Sequence, residues 1–246
     1  MTNHSPFRHF KTSPEIIRLA VMMYVCYPLS LRNVEDLLRE RGIDISHETI
    51  RFWWTRFGPL FAAEIRRRRV SRMRAHSNWH LDEVFVKING ETHYLWRAVD
   101  HESEVLESYV AKRRDRKAAL KFLGNTMKRF GQPHVIVTDL LRPYGAAMKV
   151  IGNADRRETG RWLNNRAENS HPPPDSGLLA NHEKGPFRRR EQAMLRFRGM
   201  RSLQKFVSVH ASVHNHFNHE RHLYSRANFK LNRAVALSEW RQLRAA

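Results

Sequence analysis

The chain of 246 residues carries 44 Lys and Arg against 24 Asp and Glu, which gives a formal net charge of +20. Because this excess is spread along the whole chain, it favours a polyanionic partner, nucleic acid above all, with an anionic membrane surface as the alternative. The single cysteine, Cys26, excludes an internal disulfide and a thiolate zinc cluster and fits a reducing compartment. With no segment of transmembrane length and no signal-peptide pattern at the start, we expect a cytoplasmic, nucleoid-associated protein.

Three helices are predicted in the first part of the chain. Ser13-Pro14 and Ser30 are helix-start signals, and Ser46 begins a third helix that continues through Phe57. The short turn before this last helix predicts a helix-turn-helix, whose last helix enters the DNA major groove. The polar residues at its start are candidate DNA contacts: His47, Glu48, Thr49 and Arg51. An ordinary three-helix bundle is the alternative, and the net charge favours DNA binding.

Two arginine-rich stretches are candidate binding segments for DNA phosphates. The first predicts a basic connector after the helices and contains Arg66, Arg67, Arg68 and Arg69. The second begins with Arg188, Arg189 and Arg190 and leads into a long amphipathic helix. A merely solvated linker is the alternative for the first stretch.

A strand-rich region begins at Asn78. The predicted elements are strands at 78–88, 91–99 and 105–110, a helix at 116–130, a strand at 134–139, a helix at 144–151 and a last strand at Trp162-Leu163. Asn89-Gly90, between the first two strands, is the strongest short hairpin signal. Three antiparallel strands, a crossover helix and a parallel strand predict an α/β fold with a mixed sheet.

Three carboxylates of this region are candidate catalytic groups. Asp82 lies within the first strand, Asp139 ends the fourth, and Glu168 lies in the first turns of a later helix. If the two strands are neighbours, their acids converge, and oxygen ligands without thiolates suit Mg²⁺ or Mn²⁺. Two such ions can clamp the oxygens of a phosphodiester displacement. The alternatives are a turn cap for Asp139, a solvated position for Glu168, and Asp100 as a rival acid.

Four motifs are long enough to suggest a family. They are His80-Leu-Asp-Glu-Val-Phe-Val-Lys-Ile-Asn-Gly90, Tyr94-Leu-Trp-Arg-Ala-Val-Asp100, Arg116-Lys-Ala-Ala119 and Asn164-Asn-Arg-Ala-Glu-Asn-Ser-His171. In this order, with a helix-turn-helix in front, they closely resemble the IS-six insertion-sequence family of DDE transposases. The catalytic domain of that family has a ribonuclease-H-like fold.

The resemblance implies a domain organisation and a chemistry. We expect a helix-turn-helix domain at 1–70, a basic linker at 71–77 and a ribonuclease-H-like catalytic domain at 78–246. Asp82, Asp139 and Glu168 are then the catalytic residues and the ligands of two Mg²⁺ ions, for which Mn²⁺ can substitute. The implied partner is double-stranded DNA, as transposon ends and target, bound by a homodimer or larger assembly. A terminal 3′-hydroxyl is the implied attacking group, and cointegrates are the implied product.

The chain departs from the family pattern at two places. Leu140 stands where the family usually has a lysine, so one charge near the DNA is missing. An insertion at 172–186 follows Glu168 and begins with three prolines, which cannot continue a helix. The insertion either loops out at little cost or displaces the acid by an ångström or more, which costs about 100-fold in rate. The alternative function is therefore a catalytically impaired copy that acts only as a sequence-specific DNA-binding protein. A ribonuclease-H-like nuclease without strand transfer is a weaker alternative.

Overall fold

The computed structural model describes residues 5–70, 78–101, 104–139, 141–159, 197–218 and 225–244. The chain divides into two compact units, one of Met1–Arg72 with Ser212–Ala246 and one of Met73–Ala211. Within the described ranges, no helix combines the length and the apolar character that a membrane span requires.

The first unit is helical. Its N-terminal helices are α1 (Pro14–Cys26), α2 (Leu31–Arg39) and α3 (His47–Val70). The predicted caps are confirmed: the Ser13 hydroxyl accepts a hydrogen bond from the backbone N–H of Ile16, and Ser30 forms a capping box with Asn33. The Ser46 hydroxyl accepts the backbone N–H of Thr49 at 3.3 Å. Helices α2 and α3, joined by residues 40–46, are the pair that the sequence predicts to be a helix-turn-helix.

Helix α3 is longer than the sequence indicates, because it continues through Pro59 to Val70. Its buried residues Phe57, Phe61 and Ile65 repeat every four residues, so burial extends across the proline. The missing backbone donor of a proline inside a helix costs about 3 kcal/mol, which this burial offsets. The predicted connector at Arg66–Arg69 is therefore wrong, since these residues belong to the helix.

The C-terminal helix α7 (Arg226–Arg241) belongs to the same unit. Arg18 of α1 donates from Nε to the Leu243 carbonyl at 2.8 Å, and the Trp240 indole donates to the Arg18 carbonyl at 3.1 Å. The Trp240 ring lies 5.4 Å from the ring of Phe61, edge to face. These contacts bring the end of the chain to the N-terminal helices, a grouping that the sequence does not indicate.

The second unit contains a five-stranded mixed sheet in the order β3-β2-β1-β4-β5. The strands are β1 (Asn78–Ile88), β2 (Glu91–Asp100), β3 (Val105–Ala111), β4 (Val135–Thr138) and β5 (Arg157–Thr159). The first three are antiparallel neighbours, whereas β4 and β5 run parallel to β1. This is the ribonuclease-H-like arrangement, and the predicted fold class is confirmed. The strand predicted at Trp162-Leu163 lies outside the described residues.

Helices cover the sheet of this unit. Helices α4 (Arg116–Phe130) and α5 (Arg142–Ile151) pack on the face that presents Trp79, Leu81 and Trp96, where they form the main core. The first half of helix α6 (Met200–Phe217) contacts strand β3 of the sheet. There the Gln204 side chain accepts a hydrogen bond from the Val110 backbone N–H at 2.7 Å. The long amphipathic helix that the sequence predicts thus contacts the sheet in this half.

Candidate active site

The register of two parallel strands brings Asp82 and Asp139 to the same edge of the sheet. Trp79 pairs with Ile136 and His80 pairs with Val137. Asp82 follows His80 by two residues in β1, and Asp139 follows Val137 by two residues, just past the end of β4 at Thr138. The two acids therefore lie toward the same end of adjacent strands, and their convergence on one site stays a prediction, while Glu168, the third predicted acid, lies outside the described residues.

Asp82 has a cationic neighbour on β2, the strand that flanks β1 on the side away from β4. It is the cross-strand partner of Arg97 in the antiparallel β1–β2 ladder. Burial lowers the pKa of the Arg97 guanidinium to about 10, and the charge of Asp82 acts in the opposite direction. Arg97 therefore stays protonated at neutral pH and offsets the charge of Asp82. The sequence contains the signal for this pair, because a two-residue turn at Asn89-Gly90 fixes the register of the hairpin.

Asp139 lies in a segment held by several hydrogen bonds. Its Oδ1 accepts the backbone N–H of Leu141 at 3.0 Å, so it does cap the following turn. Arg157 donates from Nε to the Thr138 hydroxyl and from Nη2 to the Asp139 carbonyl, both at 2.8 Å. The other carboxylate oxygen, Oδ2, lies 3.9 Å from Nη2 of Arg114. The side chain remains 38% exposed, so a ligand from solvent can reach it.

Tyr144 of α5 lies close to both acids. Burial raises the pKa of its hydroxyl well above the ordinary value, and the charges of Asp82 and Asp139 raise it further, against Arg114 and Arg157. The hydroxyl is buried and has no hydrogen-bond partner among the described residues. It stays protonated and is available to donate a hydrogen bond. Tyr144 was not predicted as a functional residue, nor were the three arginines Arg97, Arg114 and Arg157.

The acids suit a hard divalent cation. Asp82 and Asp139 supply carboxylate oxygens from adjacent strands, which is the donor type that Mg²⁺ prefers. The rival acid Asp100 is committed elsewhere, since its Oδ1 accepts the Glu104 backbone N–H at 2.8 Å within the β2–β3 connection. In the part of the chain that the structure describes, no three potential metal ligands cluster. Of the predicted triad, only Asp82 and Asp139 lie within the described residues.

The predicted recognition residues lie in the first turns of α3. His47 binds Glu35 of α2, and Glu48 forms ion pairs with His47 at 3.4 Å and Arg51 at 3.3 Å. Glu48 and Arg51 are both more than half exposed, whereas Thr49 is partly buried and bonds to Ser46. Arg51 is thus the most accessible cation of the set.

The candidate phosphate-binding arginines differ in their surroundings. Arg66 donates to the Ser212 hydroxyl at 3.1 Å, and Arg68 pairs with the buried Glu64, while Arg67 is exposed. Arg69 lies in the helix, but its side chain is outside the described set. Arg188, Arg189 and Arg190 also lie outside the described residues.

Comparisons with known proteins give matches over most of the chain. A family model described as a DDE domain matches residues 76–220. The transposase for insertion sequence-like element IS431mec of Staphylococcus aureus (strain N315) is 32% identical over 170 residues, which are 67% of this chain and 75% of that protein. The transposase for insertion sequence element IS257 in transposon Tn4003, also from Staphylococcus aureus, is 31% identical with the same coverage.

Two solved structures match more distantly. The catalytic domain of the Mos1 mariner transposase matches with a TM-score of 0.32 and 12% identity, over 76% of this chain and 92% of that chain. The intasome of simian T-cell lymphotropic virus, in complex with a PP2A regulatory subunit, matches with a TM-score of 0.30 and 22% identity. That match covers 35% of this chain and 32% of the viral chain.

Proposed function

Because the chain belongs to the IS-six family of DDE transposases, we propose that it binds insertion-sequence ends and joins them to target DNA, with cointegrates as the product. The reaction is a metal-dependent phosphodiester transfer, in which a terminal 3′-hydroxyl attacks a phosphodiester of the target strand. Membership of this family supports DNA transposition, by nucleotidyl transfer, as the general activity of the chain. The details of cleavage, end recognition and product are the proposal.

One observation supports the proposal: β4 runs parallel to β1 as its neighbour, so Asp82 in β1 and Asp139 just after β4 lie toward the same end of two adjacent strands. Together with Glu168 they are the proposed catalytic residues and metal ligands. Mg²⁺ is the proposed ion, Mn²⁺ is expected to substitute, and two ions are expected by the chemistry of phosphodiester displacement. When bound, such ions lower the pKa of the attacking hydroxyl and stabilise the charge on the leaving oxygen.

The protein's own residues orient the acids. Arg97 and Arg114 each place a positive charge beside one carboxylate, which limits the repulsion between Asp82 and Asp139. Arg157 holds the backbone carbonyl of Asp139, so the carboxylate starts from a fixed main chain. The buried Tyr144 hydroxyl lies within the electrostatic influence of both acids and stays protonated beside them. Preorganisation of this kind reduces the reorganisation needed when DNA and cations arrive.

The helix-turn-helix is proposed to hold the end sequence. His47, Glu48, Thr49 and Arg51 are the proposed base and phosphate contacts, because the first turns of the second helix of such a motif enter the major groove. The arginines at 66–69 and 188–190 are proposed to bind DNA phosphates. A homodimer or larger assembly on DNA is part of the proposal, since two transposon ends must be held together.

A strand-transfer assay tests the proposal. Purified protein is incubated with a labelled DNA carrying the element's ends, a supercoiled target plasmid, and Mg²⁺ or Mn²⁺. Joint molecules that require both the matched ends and the cation are the expected result. Hydrolysed ends without joining would indicate a nuclease of the same fold instead. The matched control is a DNA of equal length with scrambled ends.

A second candidate function is DNA binding without chemistry. The observation that favours it is the sequence from Pro172 to Gly185, which follows Glu168 and begins with three prolines. End-specific binding with no cleavage at any cation concentration would select this function. Deletion of Pro173 to Gly185 then tests why activity is absent. If the deletion restores DNA joining, the insertion is what inactivates the protein. As a control, a Gly/Ser stretch of equal length in place of 172–185 separates the effect of length from that of proline.

A further inference from the structure

Glu83 carries a buried charge beside the proposed metal site. It follows Asp82 in β1, so its side chain points to the opposite face of the sheet. That side chain is only 3% exposed, and its carboxylate pairs with the guanidinium of Arg114, which follows β3. Removing the partner of a buried carboxylate is strongly destabilising, so Glu83 holds Arg114 firmly in this position.

Arg114 is restrained on two further sides. Its guanidinium carbon lies 5.5 Å from the centroid of the Phe85 ring. Its Nη2, the nitrogen that pairs with Glu83, also lies 3.9 Å from Oδ2 of Asp139. Its Nε is buried and makes no hydrogen bond within the described ranges. Glu83 and Phe85 therefore fix a cation next to Asp139, one of the proposed metal ligands.

We propose that Glu83 and Arg114 form a positioning pair that orients the Asp139 carboxylate and restrains cation binding by it. This inference rests on the proposed function, in which Asp139 holds a divalent cation. Neither residue takes part directly in the reaction, because both act only by positioning Asp139. Arg114 serves as the counter-ion of Asp139 before a cation arrives, and Glu83 keeps Arg114 from closing fully onto Asp139.

The two residues have opposite effects on cation affinity. Arg114 places a positive charge next to a proposed ligand, so its removal strengthens cation binding. Loss of the Glu83 charge removes a nearby anion and releases Arg114 to pair more closely with Asp139, so cation binding weakens. A nearby charge that shifts a carboxylate equilibrium by half to one logarithmic unit gives an effect of roughly threefold to tenfold in each direction. A purely structural pair would lower the affinity in both variants.

Titration of the full chain with MnCl₂ by calorimetry, without DNA, tests the inference. Arg114→Gln is expected to bind Mn²⁺ about threefold to tenfold more tightly than the wild type, and Glu83→Gln less tightly by a similar factor. Both are expected to slow strand transfer, because Asp139 loses its orientation. Arg114→Gln affinity equal to or weaker than that of the wild type overturns the inference.

Two further variants keep the test decisive. Arg114→Lys retains the charge but not the planar fork, so its expected Mn²⁺ affinity is that of the wild type. If Arg114→Lys bound Mn²⁺ as tightly as Arg114→Gln does, the electrostatic explanation would be overturned. Arg129→Gln is the matched control, because Arg129 pairs with Glu107 at 2.9 Å elsewhere in the same unit. Its expected Mn²⁺ affinity is unchanged, and a gain equal to that of Arg114→Gln would also overturn the inference.

Asp139→Asn separates this inference from the proposed function. If Asp139→Asn binds Mn²⁺ as the wild type does, Asp139 is not a metal ligand and the proposed function fails. If Asp139→Asn abolishes binding while Arg114→Gln leaves it unchanged, only the positioning pair fails.

Discussion

Glu35 of α2 binds His47 at the start of α3 through two contacts to one oxygen. Oε2 of Glu35 accepts the His47 backbone N–H at 3.1 Å and lies 2.7 Å from the ring Nδ1. The hydrogen bond from the His47 side chain lowers the pKa of the Glu35 carboxyl, opposed by desolvation and assisted by the backbone N–H. One carboxylate thus joins the two helices of the predicted helix-turn-helix next to the proposed recognition residues.

Glu35→Gln is expected to remove a pH-dependent part of the stability. Because the pKa of Glu35 is lower in the folded than in the unfolded chain, the carboxylate stabilises the fold fully above its unfolded pKa of about 4.3. This stabilisation is lost as the pH falls through the lower pKa of the folded state. The difference in urea midpoint between wild type and Glu35→Gln should therefore be largest near pH 7 and shrink below about pH 4.

The control for Glu35 is Glu40→Gln, which removes one negative charge at an exposed position just after α2. Its difference from the wild type should vary less with pH. A Glu35→Gln difference that stays constant from pH 7 to pH 3 would contradict the role assigned to this contact.

Gly58 and Gly124 form a matched pair inside two helices. A Cβ at Gly58 would lie 2.7 Å from Cε3 of Trp54, whereas a Cβ at Gly124 meets no atom within 4 Å. Gly58→Ala is therefore expected to destabilise the protein by about 1–3 kcal/mol through overpacking. Gly124→Ala is expected to stabilise it by about 0.5–1 kcal/mol, because alanine favours the helix. Chemical denaturation of both variants tests this, and a stabilising Gly58→Ala would show that the ring of Trp54 moves freely.

Arg157→Lys is expected to impair catalysis more than stability. The Arg157 guanidinium holds the Thr138 hydroxyl and the Asp139 carbonyl at once, and a lysine ammonium cannot reproduce this fork. A shift of the Asp139 main chain by about an ångström should lower the strand-transfer rate on the order of 100-fold. Arg156→Lys is the neighbouring control, since Arg156 donates to the Pro133 carbonyl at 2.7 Å. Equal rates for Arg157→Lys and the wild type would disprove this role.

Local signals explain how much of the fold the sequence predicts. Asn89 and Gly90 both adopt positive φ, 51° and 85°, which is why this dipeptide marks the hairpin so well. Ser13, Ser30 and Ser46 satisfy backbone donors at their helix starts, so these starts were predictable. The length of α3 was not predictable, because a proline such as Pro59 usually ends a helix. Here the burial of the residues around Pro59 keeps the helix intact.

The candidate site likewise contains some residues that local sequence signals predict and others that only the tertiary fold brings together. The position of Asp82 within a strand and of Asp139 at the end of another was predictable, because the positions of β1 and β4 follow from local pattern and chain order. Arg114 was not, since its contact with Glu83 joins residues 31 positions apart whose meeting depends on the tertiary fold. Arg157 contacts Thr138 across 19 positions for the same reason. The cationic half of the site is therefore a property of the folded chain.

The proposed metal-dependent strand transfer depends on both Asp82 and Asp139. Its most direct test compares joint-molecule formation in Mn²⁺ by the wild type, Asp82→Asn, Asp139→Asn and the exposed control Asp155→Asn. We predict that both site variants bind end DNA but lose strand transfer on the order of a thousandfold or more, while Asp155→Asn retains it. Joint molecules formed by Asp82→Asn or Asp139→Asn at the wild-type rate would contradict the claim.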